Sequence, residues 1–140
     1  MKQLKHPTFF LDRSLGKELI ANALRVAKVD VQVHDAHFPS NAKYEDWLDE
    51  VGKRGWIVLT KDRRFDKRVL EITAIANSKV RVFKLTAANL QGEEMAAIFV
   101  KSIRKIERVA IGNSAPFIAT VTRTGRVSIF MSSSKLRKYK

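Results

Sequence analysis

Three carboxylates, Asp12, Asp35 and Asp62, each sit at or just past the end of a short apolar run: PTFFLD (7–12), VDVQVHD (29–35) and WIVLT (56–60). If those runs are strands lying side by side in a parallel sheet, the three acids meet at one edge of it. Glu45 and Asp46 open the helix after the second strand and start near the same edge. Converging carboxylates repel one another, and a divalent ion reconciles them. Mg²⁺ or Mn²⁺ prefers oxygen ligands and keeps several waters for a phosphate to displace. Such an ion would polarise a phosphate ester and generate hydroxide from bound water. Arg13, Lys61, Arg63, Arg64, Lys67 and Arg68, beside the acids, would grip the backbone of a polyanion.

The elements that must position these residues are legible as a switching of period. SLGKELIANALRVAK (14–28) puts Leu15, Leu19, Ile20, Ala23, Leu24 and Ala27 on one helical face behind a Ser14 cap. AKYEDWLDEVGKRG (42–55) does the same with Tyr44, Trp47, Leu48 and Val51. WIVLT is apolar on both faces, as an inner strand between two helical layers must be. DKRVLEITAIAN (66–77) predicts a helix, VRVFKLT (80–86) a strand, and GEEMAAIFVKSIRKIERVA (92–110) an amphipathic helix. PFIATVTRTGRVSIFM (116–131) reads as a strand pair around Thr124-Gly125. The expected fold is therefore a three-layer α/β/α domain over 1–131 with a largely parallel central sheet, followed by a basic, flexible tail at 132–140.

Composition narrows the class of partner. With 27 Lys plus Arg against 14 Asp plus Glu, the chain of 140 residues carries +13, more than the ~2 to 8 charges that solubility needs in a small domain. A field of that sign draws nucleic acid first, with an anionic membrane surface or an acidic protein as alternatives. There is no cysteine, which excludes disulfides and thiolate metal sites. No apolar run reaches the ~18 residues of a membrane span, and the start lacks a signal-peptide pattern, so a cytoplasmic protein is expected.

The segments FFLDRSLGKELIANALR, WLDEVGKRGWIVLTKDRRF and PFIATVTRTGRV together resemble the PIN-like domain of VapC-type toxins, in the branch with its third acid in a TKD motif. The resemblance implies a metal-dependent ribonuclease that uses Mg²⁺ or Mn²⁺ on an RNA substrate. It also implies a cognate antitoxin and a homodimer. Asp12 then matches the acid after the first strand and Asp62 the acid after the third, with Thr60 orienting a water or phosphate. The middle acid of such relatives falls at Tyr44, and a phenol with pKa ~10 is no substitute as a ligand. Either Glu45 or Asp46 takes the role, or the site holds metal poorly.

Two other functions fit parts of the pattern. A degenerate module would bind nucleic acid or an antitoxin without cleaving, consistent with Tyr44. A receiver-like domain would accept a phosphoryl group on Asp62, although that class pairs two acids after its first strand, where this chain has Asp12-Arg13. Asp66 is a further candidate acid. His34 and His37 form an H-x-x-H pair with no third nitrogen ligand. Phe38, Trp47, Trp56 and Phe65 could stack on bases, though Trp47 and Trp56 lie on apolar faces and read as core.

Overall fold

A computed structural model describes residues 7–63 and 68–140. Strands β1 (Thr8–Leu11), β2 (Asp30–Val33), β3 (Ile57–Thr60), β4 (Arg81–Leu85) and β5 (Phe117–Val121) pair in parallel, and β6 (Val127–Met131) returns antiparallel beside β5. The order across the sheet is β2-β1-β3-β4-β5-β6. Successive side chains face opposite layers. Phe9, Leu11, Ile57, Leu59, Phe83 and Leu85 enter one core, while Phe10, Val58, Val82 and Ile118 enter the other. This is why WIVLT shows no polar alternation: both of its faces are covered.

Helices α1 (Leu19–Val26) and α4 (Gly92–Gly112) cover the first face. Helix α4 begins with a capping box, in which Gln91 and Glu94 satisfy each other's backbone amides, and it buries Met95, Phe99, Ile103, Ile106 and Ala110. Helices α2 (Tyr44–Arg54), α3 (Val69–Ala76) and the short α5 (Ser133–Leu136) cover the second face. The three-layer α/β/α architecture with a largely parallel sheet and a terminal strand pair is thus present. Crossovers from β1 to β2 and from β2 to β3 run on opposite faces, so the chain reverses direction across the sheet between β1 and β3. In open α/β sheets such a point leaves a crevice outside the carboxyl ends of the strands.

Local differences from the sequence reading have local causes. The helix expected from Ser14 begins only at Leu19, because Asp12 accepts from the Ser14 amide and draws Arg13–Leu15 into a 3-10 turn ended by Gly16 at φ 74°. Ser14 therefore caps nothing, and Leu19 is 48% exposed. The second strand stops at Val33, and His34–Ala36 forms a further 3-10 turn that carries Asp35 past the strand end. The N-terminal part of the expected 66–77 helix, with Asp66, lies outside the described residues. The basic segment read as a flexible tail folds back instead. Ser132 caps α5, Leu136 is fully buried, and Tyr139 packs on the second core.

Candidate active site

The ends of β1 and β3 are tied by hydroxyl groups. The Asp12 amide donates to Leu59 O at 3.2 Å, so the chain stays against β3 one residue beyond its strand. Asp12 itself is 3% exposed. Its Oδ1 accepts from the Ser14 amide at 2.9 Å and from Ser14 Oγ, and its Oδ2 accepts from Thr60 Oγ1 at 2.6 Å. Thr60 Oγ1 in turn accepts from the Asp62 amide at 2.9 Å, and Ser14 Oγ accepts from the Lys61 amide at 3.1 Å. Tyr44 OH donates to Asp62 Oδ2. Asp12 and Asp62 share a cleft of about 80 Å³ with Arg13, Ser14, His34, Ser40, Ala42, Tyr44 and Trp47.

Two effects oppose each other on Asp12. Burial pushes its carboxyl up to about 6, the hydrogen bonds from Ser14 and Thr60 pull it back, and the charge of Asp62 pushes it up again. Both acids face the cleft that Arg13 also lines. Asp35 is not part of the pair: it meets Arg13 Nε at 3.6 Å and His34 Nδ1 at 3.3 Å. His34 is buried against Phe10, Phe38 and Trp47, and burial lowers its pKa. His37 turns away to Gln32, with Nε2 to Oε1 at 2.7 Å.

Of the residues expected at the site, Asp12, Thr60, Asp62 and Arg13 come together. Lys61 and Arg63 stand beside them and line a separate cavity of about 320 Å³ with Ala87, Ala88, Asn89, Leu90 and Met95. Arg68 is exposed at the start of α3. Arg64, Lys67 and Phe65 lie outside the described residues. Glu45 and Asp46 are exposed in the first turn of α2 and line a different cavity, which shares Tyr44 with the cleft of Asp12. Phe38, Trp47 and Trp56 pack on the second core, as the core reading of the tryptophans predicts.

One contributor to the site, and one buried cation beside it in the sheet, escaped the sequence reading. Ser14 looked like a helix cap and is a bridge between Asp12 and Lys61; its position two residues after a strand-end acid was the available signal. Lys84 is 5% exposed, on the same face of the sheet as Thr60 and opposite it in the β3–β4 register. A lysine inside VRVFKLT offered only its interruption of an apolar strand.

The donor set can be tested against an oxygen-seeking divalent ion. Among the described residues no three His, Asp or Glu side chains are placed to hold a metal. Two carboxylates with adjacent hydroxyls suffice for Mg²⁺, which is commonly held by one or two acids plus substrate phosphates. A buried Asp12 with an elevated pKa beside a second acid is a place where a cation would relieve both desolvation and repulsion. The set fits.

Comparison with known proteins gives the family. The family described as "PIN like domain" matches residues 7–87, the span that holds β1 to β4 and both acids. The chain is also 28% identical over 116 residues, 80% of its own length and 83% of the other's, to the Mycobacterium tuberculosis protein named "Putative ribonuclease VapC45". No solved structure matches significantly. A strand order of this kind also serves receiver-like domains, so the sheet alone does not separate the two classes. The family match does, and the chain belongs to the PIN-like domain family.

Proposed function

We propose that the protein is a metal-dependent ribonuclease of the VapC toxin type, with Asp12 and Asp62 as its metal-holding pair. The observation that carries this reading is the pairing of a buried and a half-buried carboxylate across the β1–β3 crevice, bridged by Ser14 and Thr60. Mg²⁺ or Mn²⁺ bound there would supply Lewis-acid polarisation of the phosphate and a water of lowered pKa. The Thr60 hydrogen bond orients Asp12 and favours its ionised form against the effect of burial, and its Oγ1 fixes the Asp62 backbone at the same time. Tyr44 orients Asp62 through its hydroxyl. Lys61, Arg63 and Arg13 flank the cleft and would hold the RNA backbone on either side of the reacting phosphate. The relative named as a ribonuclease VapC supports RNA as substrate and an antitoxin as partner.

The test is cleavage of labelled RNA with Mn²⁺ by wild type, Asp12→Asn and Asp62→Asn. The reading expects wild-type cutting that falls to background in both variants; equal cleavage by either variant overturns the assignment of that acid. A second reading is favoured by Glu45 and Asp46 lying outside the cleft and by Tyr44 engaging Asp62: a degenerate member that binds RNA or antitoxin without cutting. It predicts no calorimetric Mn²⁺ binding by wild type at millimolar metal.

A further inference from the structure

We propose that the open cavity between α2 and α3 is a binding site for a linear polyamine, separate from the acid pair and independent of whether the protein cleaves RNA. The cavity measures about 620 Å³ and is lined by Glu45, Asp46 and Asp49 from α2 and by Glu71 from α3. Four acids in one recess are unexpected on a chain of net charge +13. Asp49 has a surface partner, Lys53, at 3.1 Å. Glu71 does not. It is 8% exposed, and its Oε1 is buried with no hydrogen-bond partner. A carboxylate held this far from water without a donor is costly to the fold, and a cationic group seated in the cavity beside it lowers that cost through its charge.

The form of the ligand follows from the spread of the acids. On α2 they occupy successive turns, and Glu71 faces them from the opposite wall, so they do not converge as ligands to one ion. Spaced negative charges match spaced ammonium groups on a flexible chain. Leu70, 81% exposed, together with Ala74 and the Tyr44 ring, gives the methylenes an apolar wall. Asn77 and Ser78 line the end where α3 terminates, and the C-terminal end of a helix carries partial negative charge. Tyr44 belongs to both recesses: its ring lines this cavity and its hydroxyl holds Asp62. A polyamine seated here would rest against the residue that orients the second acid.

The same ammonium chemistry could be presented by lysines of a protein segment, so the test has two arms. Spermidine and an acetylated, amidated tri-lysine peptide are each titrated calorimetrically into wild type, Glu71→Gln, Asp46→Asn and the control Glu107→Gln on α4. Saturable spermidine binding is expected, weakened by about tenfold in both Glu71→Gln and Asp46→Asn and unchanged in the control, with the peptide weaker than spermidine. Exposed Asp46 keeps the test open if Glu71→Gln fails to fold. Absence of spermidine binding at millimolar ligand, equal binding by the cavity variants, or tighter binding of the peptide overturns the proposal. None of these readouts depends on RNA cleavage, so failure here leaves the nuclease reading standing, and the reverse holds.

Discussion

At the scale of single residues, Asp12 is in tension with its fold. Its carboxyl stands at about 6 in the folded protein against an ordinary 3.8. The folded state therefore holds the proton more tightly than the unfolded one between those values, and stability falls as pH rises through that window. The shift corresponds to roughly 3 kcal/mol of destabilisation above it. Asp12→Asn should accordingly unfold at higher denaturant than wild type at neutral pH, with the difference vanishing near the unfolded carboxyl pKa of about 4, while RNA cleavage is lost. Denaturant titrations at the two pH values check the sign. In wild type, Mn²⁺ affinity should weaken as pH drops below about 6, since the proton and the metal compete for the same oxygens. Tyr44 tests the neighbouring acid. Tyr44→Phe keeps the ring against Trp47 but removes the donor to Asp62, and loss of such an orienting partner should lower Mn²⁺ affinity by about tenfold. Unchanged affinity would mean that the hydroxyl does not position Asp62.

At the scale of elements, the sequence exposed whatever periodicity could carry and hid what depends on approach. The strands and the face of α4 were readable because burial on both sides of a sheet and on one side of a helix leaves periods of its own. Asp12 and Asp62 were readable because each stands just past the last apolar residue of a strand. Ser14 was misread because its amide is taken by Asp12 rather than by a helix, a choice made by the register of β1 on β3. The docking of 132–140 was hidden because only Leu136 and Tyr139 reach the core from it, and two isolated residues in a basic segment have no period. Gly52 shows the same limit. A Cβ built there would lie 1.9 Å from Ser78 O, so α2 approaches the end of α3 as only glycine permits. Gly52→Ala should cost about 1–3 kcal/mol in chemical denaturation, because the obstacle is backbone and cannot turn aside. The same change moves the walls of the acidic cavity and should weaken any spermidine binding along with stability.

At the scale of the whole molecule, the proposed function has net charge drawing RNA in and the carboxyl edge of the sheet deciding where it rests. Lys61 and Arg63 flank the acid pair, whereas Lys101, Arg104, Lys105 and Arg108 are exposed along α4, on the first face of the sheet. Both groups add to the long-range field. If RNA lies across the β1–β3 crevice as proposed, only the first group releases counterions by direct contact with it. For single-stranded nucleic acid, each phosphate contact contributes about 0.7 to the slope of log affinity against log salt. Replacing Lys61 and Arg63 together by alanine should therefore lower the slope by roughly 1.4 in binding measured with metal-free protein. Replacing Lys101 and Lys105 removes the same formal charge and should leave the slope nearly unchanged, with a modest loss of association rate. If the two double variants shift the slope equally, the RNA is not held at the acid edge, and the cations of WIVLTKDRR serve only the general field.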